Sequence, residues 1–131
     1  MKGSRVACAW LAPHRAWHVA AGFTLWSLWF VAAYGALSVA CAVAPPAPAR
    51  GPFTGVNLSL LLLTLATVAL LLAAAWQCWR GRRALRPEGP AHRERAVRRR
   101  FLAGLSALLY LTAAAATAFV GLPLLWLPPC V

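Results

Sequence analysis

Residues 56–79 read VNLSLLLLTLATVALLLAAAWQCW, a run of 24 positions without one Asp, Glu, Lys or Arg. At ~1.5 Å rise per residue such a run makes a helix of roughly 36 Å, enough to cross a ~30 Å hydrocarbon core with some tilt. It is too long, and too little alternating, for a strand of a membrane barrel. Two blocks of the same kind flank it, Trp17–Val43 and Phe101–Leu127, and they too lack Asp, Glu, Lys and Arg. A soluble chain of 131 residues cannot surround three helices that are apolar on every side. With 62% apolar and 11% charged residues, the composition matches a chain whose solvent is lipid. Lipid offers no partner to backbone N–H and C=O groups, so each block is predicted as an α-helix. The expected fold is all-α, a three-helix transmembrane bundle forming one domain over residues 1–131.

The basic residues orient this bundle. Lys2, Arg5 and Arg15 precede the first block, and Arg80, Arg82, Arg83, Arg86, Arg93, Arg95, Arg98, Arg99 and Arg100 separate the second from the third. Only Arg50 lies between the first and second blocks. Three crossings bring the N-terminus and the 80–100 loop to one side, and positive-inside bias makes that side cytoplasmic, with the C-terminus outside. Trp17, Trp76 and Trp79 at the inner edge and Trp126 at the outer edge form the expected aromatic girdles. The first block is read as a retained helix rather than a signal peptide, because its apolar core exceeds a signal h-region and Pro45 follows the would-be cut at Ala42-Val43-Ala44.

Two connections follow. Residues 44–55 are dominated by Pro, Gly and Ala and are expected to form a stiff outer strap. In the inner loop, Pro87-Glu88-Gly89-Pro90 reads as a turn, and 91–100 as a cytoplasmic extension of the third helix. The net charge of +11 is confined to juxtamembrane positions without a nucleic-acid-binding motif. The basic residues are therefore assigned to topology and to attraction of anionic lipid headgroups, chiefly through Arg80, Arg82, Arg83, Arg86, Arg98, Arg99 and Arg100, and no nucleic-acid partner is expected.

The same orientation sorts the four cysteines. Cys8 and Cys78 fall at the cytoplasmic face, Cys41 and Cys130 at the outer ends of helices one and three. Only the second pair meets an oxidising compartment, so a Cys41–Cys130 disulfide is predicted, with Pro128-Pro129 ending helix three; two buried free thiols are the alternative.

Within helix one, Thr24, Ser27, Tyr34 and Ser38 share a broad stripe, and Ala32, Ala36 and Ala40 form a ridge of small residues on another side. Helix three repeats the small-residue spacing at Ala113, Thr117 and Gly121, whereas Leu58 and Leu60–Leu63 make helix two the expected lipid-facing member. The aromatic set Phe23, Trp26, Trp29, Phe30 and Tyr34 places two indoles away from either interface, where an N–H needs an acceptor. Such a set packs on helices two and three or docks a partner; a pigment or quinone site is a lesser reading. His14 and His18, at i and i+4, are placed at the membrane edge as interfacial residues, since no further ligand accompanies them.

No carboxylate, Lys, Arg or His is counted inside any span, and Ser106 with Tyr110 on one face lacks a base, so no catalytic residue, metal ligand or cofactor is assigned. The run Leu25-Trp26-Ser27-Leu28-Trp29-Phe30, then Tyr34-Gly35, Ser38-Val39-Ala40-Cys41 and the closing Gly121–Cys130, resembles small proteobacterial membrane proteins associated with respiratory haem–copper oxidase genes. That resemblance implies a bacterial inner membrane and a respiratory partner. The expected function is that of a non-catalytic accessory subunit or assembly factor of a larger membrane complex. A self-associating small transporter or channel is the alternative.

Overall fold

The computed structural model describes residues 17–43, 54–84, 93–127 and 130. They form three helices, α1 (Trp17–Val43), α2 (Gly55–Ala84) and α3 (Arg93–Gly121), and a 3₁₀ turn over Leu122–Leu125. The described residues contain no strand, and all three helices are long and apolar enough to cross a membrane. Lys2, Arg5, Cys8, His14, Arg15, Arg50 and Arg86 lie outside the described residues, as do residues 44–53 of the 44–55 strap, the Pro87–Pro90 turn and Pro128-Pro129.

α1 has the bounds of its apolar block. α2 outruns its block, and Arg80, Arg82 and Arg83 lie in its last turns rather than in a loop. Arginine is a good helix former whose long stem reaches water from a lipid-facing helix, so a membrane boundary does not end a helix. The expected extension of α3 is present from Arg93. Its far end differs from expectation, because the α-helix stops at Gly121 instead of continuing to Leu127. Pro123 has no N–H for the i−4 carbonyl and its ring clashes there, so the chain tightens into a 3₁₀ turn. The N–H groups of Trp126 and Leu127 then bond back to Pro123 O at 3.1 and 2.9 Å.

α2 and α3 make the tight pair. Asn57, Leu60, Thr64, Thr67, Leu71, Ala75 and Cys78, spaced three or four apart, form the buried stripe of α2. α3 answers with Ala103, Ser106, Ala107, Tyr110, Ala114, Thr117 and Gly121. This near-3.5 repeat of small residues gives a coiled-coil-like seam of close backbones. The apolar core lies within it, around Leu71, Ala75, Cys78, Ala107, Tyr110 and Ala114.

The expectation that α2 is the lipid-facing member is overturned. Only 6% of the apolar window of α1 is buried, against 28% for α2 and 22% for α3. Leucine content measures hydrophobicity on every side, whereas packing follows the one stripe on which α2 carries Asn57, Thr64 and Thr67. Ala32 and Ala36 of the expected small-residue ridge are exposed, and Ala40 is half-buried.

The helices approach closely at Gly121, where a Cβ would stand 2.6 Å from Thr64 Cγ2, the tightest of the described glycines. Gly121→Leu is therefore expected to destabilise the bundle by about 1–3 kcal/mol, the usual cost of overpacking. Gly35, with nothing within 4 Å of its Cβ position, is the control. Unfolding of both variants in mixed micelles checks this; equal midpoints for Gly121→Leu and Gly35→Leu would reject the close approach.

Candidate functional site

α1 buries little surface, yet it is tied to the pair at three heights by specific chemistry. At the arginine end, His18 is buried and its Nδ1 lies 3.0 Å from the Tyr110 hydroxyl of α3. The imidazole also stacks on Trp17, centroids 4.3 Å apart. Gly22, one turn on, lets the Tyr110 ring lie against the α1 backbone, since a Cβ there would be 3.2 Å from Tyr110 Cδ1. His18 is thus a buried contact between helices rather than a snorkelling side chain, and it falls within the Trp17–Val43 span, which corrects the count of no His inside a span. The burial follows from the partner, because a hydroxyl 3.0 Å away satisfies a ring nitrogen that lipid would leave unbonded.

At mid-height the Trp29 indole N–H donates to Thr64 Oγ1 at 3.3 Å, and the same hydroxyl donates to Leu60 O at 2.8 Å. Thr64 thus serves α1 through its oxygen, its own helix through its proton, and α3 by packing on Gly121.

At the opposite end Cys41 and Cys130 are joined as a disulfide, with Cα atoms 5.4 Å apart. This is the pair predicted from their common side of the bundle. Cys130 takes a left-handed φ of 68°, so the chain turns sharply to present its sulfur to α1.

A fourth link secures α2 to α3 at this end. Thr54 caps α2, its Oγ1 accepting from the Asn57 N–H at 3.3 Å. The Asn57 side-chain amide donates to Leu124 O at 3.2 Å and Leu127 O at 3.1 Å, carbonyls that the broken end of α3 leaves without helical partners. Asn57 also lines a cavity of about 290 Å³ whose other walls include Trp29, Leu37, Leu124 and Leu127. Asn57 was not singled out in the sequence, nor was Thr64. The signal was present, because an Asn in an apolar block costs too much in lipid unless it has partners.

The aromatic set divides. Trp29 is buried against α2, while Phe23, Trp26, Phe30 and Tyr34 run along the outer side of α1 as a continuous ladder of tilted rings, centroids 5.9, 5.5 and 4.4 Å apart. Phe23 is 69% and Tyr34 52% exposed. Beside the ladder a groove of about 200 Å³ separates α1 from α3, with Phe23 and Trp26 on one wall and Leu109, Ala113 and Ala116 on the other. The Trp26 N–H is buried and has no acceptor among the described residues.

The remaining predicted residues gather at the arginine end. Arg80, Arg83, Arg98, Arg99 and Arg100 are exposed and Arg82 is half-buried, with the Arg82 and Arg83 guanidiniums 5.5 and 5.7 Å from the Trp79 ring centre. Among the described residues no group of three or more His, Cys, Asp or Glu side chains converges. Ser106 shares the buried face of Tyr110, but its hydroxyl has no hydrogen-bond partner among the described residues, and His18 bonds to Tyr110 instead. Comparison with protein-family profiles, curated proteins and solved structures finds no match for this chain.

Asn57→Leu removes the donors for two carbonyls and is expected to cost about 1–3 kcal/mol in micelles, with release of the last turn of α3 measured as faster deuterium uptake at Leu124–Leu127. Unchanged uptake would show that Asn57 does not hold that turn. For the disulfide, alkylation of intact membranes without reductant is expected to leave Cys41 and Cys130 unlabelled and to label both after reduction. Labelling of both before reduction would reject the link.

Proposed function

We propose that this chain is a non-catalytic accessory subunit or assembly factor that works by binding one transmembrane helix of a larger membrane protein along the outer face of α1. The observation that carries this reading is the exposed aromatic ladder of Phe23 and Tyr34 beside a groove whose wall holds the Trp26 indole, a donor without an acceptor among the described residues. An indole N–H costs free energy in hydrocarbon until it is bonded, and lipid chains offer no acceptor. A neighbouring helix would cover the exposed Phe23 and Tyr34 rings, and Ala113 and Ala116 on the far wall of the groove allow close approach. The chain's own residues 1–16 are poorly suited to that place at mid-membrane, since they carry Lys2, Arg5, His14 and Arg15.

The positive-inside bias supports a cytoplasmic arginine end and an outer cystine end, and the disulfide chemistry of Cys41 and Cys130 fits an oxidising outer compartment. A bacterial inner membrane and a respiratory oxidase partner are supported by the resemblance of the Leu25–Phe30 and Gly121–Cys130 runs. Contact rather than catalysis is supported by the buried nucleophile-type side chains: among the described residues neither Cys78 nor Ser106 is hydrogen-bonded to a base.

Copurification in mild detergent followed by mass spectrometry tests the partner. A larger membrane protein is expected, and Trp26→Ala with Phe30→Ala is expected to lower its recovery about tenfold or more, as loss of aromatic anchors does. A pure homo-oligomer would instead favour a self-associating transporter or channel. Alkaline phosphatase fused after Val131 is expected to be active and the same enzyme inserted at Glu88 inactive; the reverse pattern would invert the topology.

A further inference from the structure

Arg82 differs from its neighbours on α2. Arg80 and Arg83 are exposed, whereas Arg82 is half-buried and folds across the seam onto α3. Gly104 makes the room, because a Cβ there would stand 3.3 Å from Arg82 Nη1 and 3.4 Å from its Cδ. The guanidinium meets the Trp79 ring at 5.5 Å, and no carboxylate among the described residues pairs with it. The chain has only two acidic residues, Glu88 and Glu94, and among the described residues Arg82 is a partly dehydrated cation without an anion beside it.

Beside it a groove of about 540 Å³ opens, lined by Arg82 and Arg100 together with Phe101, Leu105 and Leu108. Leu108 lies eight residues beyond Arg100 along α3, about 12 Å deeper into the span. The groove is thus cationic at the membrane edge and apolar toward the membrane interior. We propose that it seats one anionic phospholipid, the phosphate between Arg82 and Arg100 and an acyl chain along Phe101, Leu105 and Leu108. A free phosphate would leave the apolar walls bare, and an acidic peptide would have to bring its backbone into hydrocarbon. The seat depends on the membrane reading and is independent of any protein partner at α1. It differs from diffuse attraction of headgroups, which would draw on all the arginines alike.

The test is native mass spectrometry of the full chain released from nanodiscs of phosphatidylcholine containing a minor fraction of phosphatidylglycerol. One phosphatidylglycerol per chain is expected to be retained in preference to phosphatidylcholine. Arg82→Gln and Arg100→Gln are each expected to lower that retention about fivefold. Arg95→Gln and Arg99→Gln, which remove the same charge outside the groove, are expected to change it by less than about twofold. Gly104→Leu keeps every charge but displaces the Arg82 guanidinium, and is expected to match Arg82→Gln. Circular dichroism of each variant in phosphatidylcholine alone establishes the fold, and if Gly104→Leu unfolds, the arginine variants decide alone. Equal losses from groove and control arginines would overturn the seat in favour of diffuse attraction. Displacement of the lipid by millimolar inorganic phosphate would make it a free-anion site, and absence of headgroup preference would overturn it outright.

Discussion

Helices in lipid gain nothing from hiding leucine from one another, because the acyl chains outside are as apolar as the side chains within. What remains to hold them is close approach and the satisfaction of polar groups that hydrocarbon leaves unbonded. Thr64 supplies both in this bundle. Its hydroxyl bonds to Leu60 O and receives the Trp29 N–H, and its methyl rests on Gly121, so all three helices meet at one side chain. Neither contact substitutes for the other. The glycine sets the distance between α2 and α3, and the hydroxyl sets where α1 rests on them.

The division of labour among the helices follows from this constraint. α2 and α3 commit their small and polar residues to the seam and expose leucine. α1 contributes only His18, Gly22 and Trp29 as fully buried positions, with Ala21 and Leu25 half-buried against the core, and exposes Phe23 and Tyr34. A helix held mainly by two hydrogen bonds and one covalent link can leave rings such as Phe23 and Tyr34 exposed, and that economy underlies the docking role proposed for it.

Much of the architecture was legible from the residues. Three charge-free blocks translate directly into three helices, since a backbone in lipid has few other solutions. The Cys41–Cys130 pairing followed from counting crossings. Which faces turn inward was less legible, and the failure has a physical cause. The Leu58–Leu63 run suggested a lipid-facing α2, but burial in a membrane protein selects small and polar side chains, and these form the stripe through Asn57, Thr64 and Thr67. The same bias hid His18. A histidine near a helix start reads as interfacial unless one knows that Tyr110, 92 residues away, presents a hydroxyl to it. The end of α3 was misplaced because Pro123 was weighed less than the apolar run around it.

The three ties of α1 at His18, Trp29 and Cys41 also act as pins on a rod. The first two are eleven residues apart and so nearly in line along the helix, which blocks sliding but leaves some freedom to roll about their common line. Cys41 is twelve residues past Trp29, about a third of a turn off that line, and the disulfide there removes the roll. A rod pinned off its own axis has a fixed azimuth, so the ladder of rings faces one direction in the plane of the membrane for as long as the cystine is intact.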